Sequence, residues 1–101
     1  MSDRYQRQTL LPFLGKEGQA KLLASRVVLV GCGALGTGVA NNLVRAGVGH
    51  LCICDRDFVE LNNLQRQMLF AEADVREQLP KAEAAARHLR AINSEVAIKR
   101  G

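Results

Sequence analysis

Glycines and a carboxylate that could bind a phosphorylated ligand follow two neighbouring apolar runs of this chain. Gly31, Gly33 and Gly36 come directly after the run at 27–30. This spacing gives a tight turn, lets backbone N–H groups approach a phosphate, and lets a helix pack close to the strand. Asp55 ends the next apolar run, where a carboxylate accepts hydrogen bonds from ribose hydroxyls. The pattern predicts a nucleotide site that suits NAD and ATP equally.

Three side chains further along favour a triphosphate over a dinucleotide. Asn63, Arg66 and Lys81 could supply hydrogen bonds and positive charge, whereas the pyrophosphate of NAD is already served by the helix N-terminus. Lys81 follows Pro80 in the first turn of a predicted helix, where the helix dipole disfavours a cation. A bound anion near Lys81 would explain this position, and a solvated lysine is the alternative explanation.

Three short apolar runs are predicted to be the strands that position these residues. They lie at 27–30, 51–54 and 95–99. The unbroken β-branched and leucine run of the first favours a strand covered on both faces. With right-handed crossovers, the pattern is the beginning of a doubly wound α/β fold, a Rossmann-like parallel sheet with flanking helices. We expect about three strands, because the sequence stops there.

Two short helices are predicted ahead of the sheet, at 3–12 and 18–25, and the first ends before Pro12 because proline opposes continuation of a helix. We expect residues 1–25 to form these N-terminal helices and residues 26–101 to form a βαβ(α)β unit. Together they would be the N-terminal part of one nucleotide-binding domain.

Two longer helices are predicted between the strands. The first ends at Gly47, and its residues at helical spacing are Leu35, Val39 and Leu43. The second opens at Pro80 and allows Glu83 to pair with Arg87 one turn later. Its apolar face consists of Ala82, Ala85, Ala86, Leu89 and Ile92. A long irregular connection is expected to precede it.

Composition and charge argue against several classes of protein. The net charge is +4, but the basic residues are scattered and only four residues are aromatic, whereas a nucleic-acid groove needs a basic stripe, often with stacking platforms. No apolar run approaches the roughly 20 residues of a membrane span, and the polar N-terminus is no secretory signal. Three cysteines favour a reducing cytoplasm over a disulfide framework. We expect a cytoplasmic protein without nucleic-acid or membrane partners.

The remaining reactive residue types are predicted to be structural. Cys52 and Cys54 point to the same face of a strand but lack further ligands at a suitable spacing, so packing is expected and no metal site is assigned. Cys32 lies between two glycines and is expected to pack as well. His50 and His88 have no catalytic partner in the sequence and are expected to be solvated.

Several segments of the chain resemble the adenylation domain of the ThiF/MoeB family, the bacterial relatives of the ubiquitin-activating enzymes. The segments are RYQRQTLLP, GQAKLLASRVVLVGCGALG, LVRAGVGHLCICDRDFVELNNLQRQ and PKAEAAARHLRAINSEV. They follow one another in register over essentially the whole chain. The resemblance implies an enzyme that uses ATP to adenylate the C-terminal glycine of a small ubiquitin-like protein, typically a sulfur carrier.

The resemblance also implies roles for individual residues. Asp55 matches the ribose-binding aspartate, and Asp57 its acidic neighbour. Asn63 and Arg66 match the N-L-x-R-Q motif that contacts ATP phosphates, and Lys81 matches the phosphate-binding lysine. The nucleotide loop corresponds to Gly31, Gly33, Ala34 and Gly36. Ala34 stands where many members have another glycine.

Arg7 matches an arginine that reaches into the ATP site of the partner subunit, which implies a homodimer. Arg66, Lys81 and Arg7 would stabilise the transition state. The resemblance places the magnesium ligand and any zinc-binding cysteines beyond residue 101. We therefore expect this chain alone to bind nucleotide weakly and not to turn over.

Three functions remain open from the sequence. The first is ATP-dependent adenylation of a ubiquitin-like carrier. The second is the NAD-binding half of a dehydrogenase, which leaves Arg66, Lys81 and Arg7 unexplained. The third is a binding or dimerisation module without catalytic activity. Which carrier is served, whether for thiamine, molybdopterin or another pathway, is not indicated by these residues.

Overall fold

Three parallel strands form the centre of the part of the chain that the structure describes, residues 3–101. In this computed structural model, β1 (Arg26–Val30), β2 (His50–Cys54) and β3 (Ala97–Arg100) lie in the order β1-β2-β3. Both pairs are parallel, so each connection must cross over. The parallel α/β fold with flanking helices that the sequence predicts is confirmed.

The helices differ from their predicted bounds mainly at their ends. The second N-terminal helix begins at Gly15, three residues earlier than predicted, and the connection predicted to be irregular contains a short helix. Within residues 3–101, no helix is long and apolar enough to cross a membrane. The α-helices are α1 (Gln6–Thr9), α2 (Gly15–Ala24), α3 (Ala34–Ala46), α4 (Glu72–Arg76) and α5 (Lys81–Ile92), and 3-10 helices span Asp3–Tyr5 and Leu61–Asn63.

Helix α3 does not bury the whole face predicted for it, since Leu43 packs against the core but Leu35 and Val39 do not. Leu35 is 82% exposed and Val39 is 37% exposed. A Cβ on Gly36 would lie 2.2 Å from the carbonyl oxygen of Gly31, so the glycine side of the helix packs directly on the turn. Positions four and eight residues later follow it onto the sheet. The buried residues of α3 are Thr37, Ala40 and Val44.

Helix α5 packs as its sequence predicts. Its predicted apolar face is confirmed, with Ile92 partly buried and the other four residues buried. Glu83 Oε2 lies 3.7 Å from Arg87 Nε, which confirms the predicted pair. Leu51, Ile53 and Ile98 of the sheet belong to the same buried core. The core therefore lies between the sheet and the two crossover helices.

The opposite face of the sheet is open. Val28 is 66% exposed and Val30 81%, and the parallel register sets them beside Cys52 and Cys54 of β2. Because each strand lies next to its predecessor, right-handed crossovers put α3 and α5 on the same side. Strands in this order with both helices on one side form one half of a doubly wound sheet, so the predicted beginning of a doubly wound α/β fold is confirmed. The expectation of a first strand covered on both faces is wrong for residues 3–101.

Polar side chains connect the N-terminal helices to the last turn of α3. Gln8 and Gln19 both donate hydrogen bonds to the carbonyl oxygen of Ala46, at 2.7 and 3.0 Å, and Gln8 also donates to Gln19 Oε1. Gly47 ends α3 in the left-handed region, with φ of +95°. A Cβ there would lie 2.6 Å from both Gln19 and Tyr5, so these contacts need the glycine.

Asn93 completes this arrangement at the end of α5. It is 1% exposed, and its Nδ2 donates to the hydroxyl of Tyr5 at 2.9 Å and to the carbonyl oxygen of Val44 at 2.8 Å. Its Oδ1 accepts from the backbone N–H of Glu95 at 3.0 Å. We call Tyr5, Gln8, Gln19 and Asn93 the amino-end network, since it lies at the end of the sheet where β2 begins.

Candidate functional site

The turn between β1 and α3 has the geometry of an anion site. Gly31 has φ of +93°, a conformation that favours glycine, and its N–H donates to the carbonyl oxygen of Cys54 at 2.8 Å. Gly33 is the N-cap of α3 and has no side chain to satisfy the first N–H groups of the helix, which begins at Ala34. Those N–H groups and the helix dipole would stabilise a bound anion.

Asp55 connects the ends of β1 and β2. Its Oδ2 accepts a hydrogen bond from the N–H of Cys32 at 2.7 Å, and its Oδ1 accepts from the N–H of Asp57 at 2.8 Å. A carboxylate has lone pairs for about four hydrogen bonds, so further donors such as ribose hydroxyls can be accepted. The structure thus holds the predicted ribose ligand beside the glycine turn.

Lys81 reaches the same region because its segment runs antiparallel to the residues after Asp55. Phe58 pairs with Pro80 in an isolated bridge, and the N–H of Lys81 donates to the carbonyl oxygen of Asp57 at 2.8 Å. Lys81 is 8% exposed, and its ammonium makes no hydrogen bond or ion pair with any residue in 3–101. The structure therefore places a largely buried lysine with an unpaired ammonium at the first residue of α5.

The charges of Asp55 and Lys81 both act on Cys32. Burial raises the pKa of the Cys32 thiol to about 11, the negative charge of Asp55 also raises it, and the positive charge of Lys81 lowers it in part. Cys32 is fully buried in the core, so its predicted packing role is confirmed. The three groups lie close enough together to form one electrostatic unit.

Two open cavities meet at Arg56 and Asp57. The strand-end cavity, about 490 Å³, is bounded by the last residues of β1 and β2 and by Asp55. The lysine cavity, about 460 Å³, is bounded by Asn63 and Lys81. The first has a mainly apolar lining and the second a mainly polar one. Because Arg56 and Asp57 border both cavities, the predicted ribose ligand and the predicted phosphate ligands line two neighbouring cavities.

Asn63 and Arg66 make local contacts. Asn63 is 7% exposed, and its Oδ1 accepts from the N–H of Glu60 at 2.8 Å, while its Nδ2 donates to Asn62 Oδ1 at 3.2 Å. It therefore holds the 3-10 helix while lining the lysine cavity. Arg66 is exposed, lines neither cavity, and donates from Nη1 to the carbonyl oxygen of Asn62 at 3.2 Å. Phosphate contacts for both remain predictions.

Arg7 lies at the other end of the molecule. Helix α1 contacts the last turn of α3 through Gln8 and Ala46. Because α3 has 13 residues, its two ends are about 18 Å apart. Arg7 is exposed and does not join Gly31 and Asp55 in one site of the same chain. Its role in the site of a second copy remains a prediction.

Gln67 is a site residue that the sequence reasoning missed. It is 3% exposed, and its Nε2 lies 3.9 Å from where a Cβ of Gly33 would be. Its Oε1 is buried without a hydrogen-bond partner among residues 3–101. The only sequence signal was its place as the last residue of the N-L-x-R-Q segment, because hydrophobic periodicity gives no information on a buried polar side chain.

His88 and Cys52 lie outside the site, whereas Cys54 lines the strand-end cavity. The His88 side chain is 41% exposed, as expected of a solvated residue, but it also has a partner that was not predicted. Its Nε2 lies 2.8 Å from Oδ2 of Asp74, a buried carboxylate that also accepts from the N–H of Ala71. Cys52 and Cys54 are free and half-buried on the open face. Within residues 3–101, no three His, Cys, Asp or Glu side chains are grouped so that they could hold a metal ion.

Comparison with known proteins identifies the family. The model of the ThiF family matches residues 5–100. The chain belongs to the ThiF family. It is 56% identical over 96 residues to the sulfur carrier protein ThiS adenylyltransferase of Bacillus subtilis, covering 95% of this chain and 29% of that protein. It is 45% identical over 97 residues to the SAMP-activating enzyme E1 of Haloferax volcanii, covering 96% of this chain and 35% of that protein.

Solved structures of ThiF-like folds superpose on the whole chain. MccB of E. coli with ATP has a TM-score of 0.88 and 34% identity, covering 100% of this chain and 30% of that one. The E. coli tRNA N6-threonylcarbamoyladenosine dehydratase TcdA has a TM-score of 0.89 and 27% identity, covering 98% of this chain and 40% of that one. The chain therefore spans well under half the length of these relatives.

Proposed function

We propose that this chain binds ATP for the adenylation of the C-terminal carboxylate of a ubiquitin-like sulfur-carrier protein. The observation that carries the proposal is Lys81, a largely buried lysine whose ammonium has no partner in residues 3–101 and which lines a cavity that adjoins the Asp55 cavity. An unpaired buried cation is costly unless a ligand neutralises it. A triphosphate supplies the required negative charge, and NAD, with its pyrophosphate served by the glycine turn, supplies less. The adenylyltransferase relative from B. subtilis supports this choice.

The nucleotide fits the site in one direction. Asp55 would accept hydrogen bonds from the ribose, with the base over the mainly apolar strand-end cavity. The phosphates would lie at the Gly33 end of α3 and extend toward Lys81 in the lysine cavity. Arg66 is exposed, and its guanidinium has further donors that could turn toward the phosphates.

The proposed reaction needs positional and electrostatic help. An oxygen of the carrier's terminal carboxylate attacks the α-phosphorus, the bond from that phosphorus to the bridging oxygen breaks, and pyrophosphate leaves with the electron pair. The products are a carrier acyl-adenylate and pyrophosphate. Because the carboxylate is already ionised, no residue needs to act as a nucleophile or general base. Lys81 and Arg66 would hold the anions together and stabilise charge on the phosphoryl oxygens.

Magnesium is proposed to accompany the triphosphate. Within residues 3–101, no group of three potential ligands could hold a metal ion, so neither a magnesium nor a zinc ligand is assigned to these residues. The groups that this chain supplies would bind and orient the nucleotide.

A homodimer in the cytoplasm is the proposed context. Arg7 is exposed at the end of the molecule opposite the glycine turn, which supports a contribution to the site of a second copy. Three free cysteines support a reducing compartment. Light scattering at increasing protein concentration tests the dimer, and a monomer at all concentrations would contradict it.

Calorimetric titration of this chain with Mg-ATP and, separately, with NAD tests the nucleotide proposal. We expect ATP to bind and NAD not to bind. Arg66→Ala should weaken ATP binding at least tenfold, because a charge-assisted contact to phosphate contributes about 1.5–3 kcal/mol. Arg76→Ala, a change of an exposed arginine in α4, is the control. NAD binding that Arg66→Ala leaves unchanged would instead favour the dehydrogenase alternative.

A further inference from the structure

Asp74 and His88 form a contact that joins α4 to α5 outside the site. Asp74 is 4% exposed, and its Oδ2 accepts a hydrogen bond from the N–H of Ala71 at 2.7 Å. The same oxygen lies 2.8 Å from His88 Nε2, and because a carboxylate oxygen accepts, the ring N–H donates. His88 comes close to two helical turns after Lys81, so the two residues lie on the same side of α5. The contact therefore fixes α5 against α4 on the side of the helix where Lys81 lies.

Asp74 also holds the segment that leads into Lys81. Its backbone carbonyl oxygen accepts from the N–H of Leu79 at 3.1 Å, and the carbonyl oxygen of Leu79 accepts from the N–H of Val59 at 3.0 Å. Leu79 comes just before the proline that precedes α5. A continuous chain of hydrogen bonds therefore runs from the ring of His88, through Asp74, to the extended segment that ends at Lys81.

The turn between Asp74 and Leu79 has a strained backbone. Gln78 has φ of +55°, and within residues 3–101 it is the one residue other than glycine with a positive φ. Residues with a side chain rarely adopt this region, so surrounding contacts must hold Gln78 there. If the bonds made by Asp74 were weakened, the turn could relax toward an ordinary conformation. The segment that carries Lys81 would then move with it.

We infer that Asp74 and His88 are positioning residues for Lys81, an inference that rests on the proposed ATP site. Neither side chain lines the strand-end cavity or the lysine cavity, so neither contacts the nucleotide directly. They act on the place that the Lys81 ammonium occupies. A charge-assisted contact to phosphate depends on distance and direction, so a displaced ammonium binds the phosphates less well.

His88 is the better of the two residues to change, because its side chain is partly exposed and its removal leaves no cavity in the core. His88→Ala removes the N–H donor, and Asp74 keeps the N–H of Ala71. His88→Gln restores a donor at the end of a flexible side chain.

Arg87→Ala is the matched control at the next position of α5. Arg87 also connects this helix to the end of α4, but only through exposed ion pairs, at 3.9 Å to Glu77 and 3.7 Å to Glu83 within α5. Exposed ion pairs of this kind contribute little. Arg87→Ala should therefore match the wild type in nucleotide binding.

The experiment is a double-mutant cycle with Lys81→Met, which measures the Kd of Mg-ATP and of adenosine for the full 101-residue chain. With Lys81 present, His88→Ala should raise the Kd of ATP about fivefold, a coupling of the size found within one network. The Kd of adenosine should not change, because Asp55 is untouched. With Lys81→Met, His88→Ala should have no further effect on ATP. His88→Gln should restore most of the lost affinity.

The other outcomes contradict the inference in different ways. An equal loss of ATP affinity with and without Lys81, or a failure of His88→Ala to fold, would make the pair a structural support of the whole chain. Wild-type ATP affinity in His88→Ala would show that the pair does not position Lys81, and it would leave the proposed function intact. If the wild-type chain binds no ATP, the proposed nucleotide site fails, and the inference fails with it.

Discussion

The amino-end network and the polar side chains buried at the other end of the sheet differ in how they are paired, although His50 Nδ1, at the amino end but outside the network, is also buried without a partner in residues 3–101. In the amino-end network, Asn93 and Gln19 are at most 1% exposed, and both bond to the C-terminal carbonyl groups of α3. At the other end, Lys81 and Gln67 are nearly as buried, and neither side chain has a partner in residues 3–101. The same fold therefore contains one satisfied and one unsatisfied polar cluster.

We expect the paired side chains to contribute to stability and the unpaired ones to contribute to ligand binding. A buried polar group that is hydrogen-bonded contributes modestly to stability, whereas an unpaired one costs free energy. The amino-end network should therefore be sensitive to mutation in unfolding experiments. The unpaired groups should tolerate apolar replacement in unfolding experiments and be sensitive in binding experiments.

The largest expected effect is the loss of stability in Asn93→Ala. The change removes three hydrogen bonds and leaves the Tyr5 hydroxyl buried without a partner, whereas the Val44 carbonyl keeps the N–H of Gly47. Unfolding should therefore become easier by about 3 kcal/mol. Urea unfolding monitored by circular dichroism measures it. Asn42→Ala, an exposed position of α3, is the control and should change stability little. A loss below about 1 kcal/mol would contradict the contribution to stability that is expected of the amino-end network.

Gly36→Ala tests whether the glycine turn, at the end of the sheet opposite the amino-end network, also contributes to stability. Its Cβ would lie 2.2 Å from the backbone oxygen of Gly31, so the helix or turn must shift. We expect a loss of about 2–3 kcal/mol in unfolding and weaker ATP binding. Gly38→Ala, in the same helix with nothing within 4 Å of its Cβ, should instead stabilise by up to about 1 kcal/mol. Similar results for both variants would contradict the close packing at Gly36.

Lys81→Met tests whether ATP affinity can be lost without a loss of stability. Removing an unpaired buried cation from a helix N-terminus should leave the unfolding midpoint unchanged or higher. ATP affinity should fall by about 1.5–3 kcal/mol, because the charge-assisted contact to phosphate is lost. Calorimetry and urea unfolding on the same sample measure both. Lys16→Met, at an exposed position, should alter neither. Destabilisation by Lys81→Met would mean that Lys81 has a structural partner.

The smallest expected effect is the pH dependence due to Cys32. Its pKa in the folded state is raised from 9.0 to about 11, so the fold favours the neutral thiol. The stabilisation is complete below pH 9 and is lost as the pH rises from 9 toward 11. At pH 10 the loss should be about 1 kcal/mol. Urea midpoints of the wild type and Cys32→Ala should converge over this range. Parallel curves would contradict a strongly raised pKa.

Much of the fold could be predicted from the sequence because short-range signals agree there. The strands are apolar runs, and Gly47 and Pro80 mark helix boundaries by their own backbone chemistry. The buried face of α3 could not be predicted from apolar periodicity. The close approach of Gly36 to Gly31, a tertiary contact, set the rotation of that helix and left Leu35 exposed.

The candidate site could be predicted only where a residue acts through its position along a strand or turn. Asp55 and the glycine turn are of this kind, because the carboxyl ends of parallel strands meet at one edge. The pairing of Phe58 with Pro80, which delivers Lys81, depends on how a long connection folds back. Gln67 and the Asp74–His88 pair likewise depend on burial and three-dimensional neighbours, which periodicity does not encode.

The strand order β1-β2-β3 also has a consequence for how the chain is made. Each new strand pairs with the one synthesised just before it, so the sheet can grow one unit at a time as the chain leaves the ribosome. Such pairing keeps loop closures short, which favours fast folding. The hydrogen bond from Asn93 to Tyr5 spans 88 positions and cannot form until nearly all of the chain has emerged. The amino-end network can therefore close once Asn93 has emerged, when β1 and β2 are already available to pair and just before β3 follows.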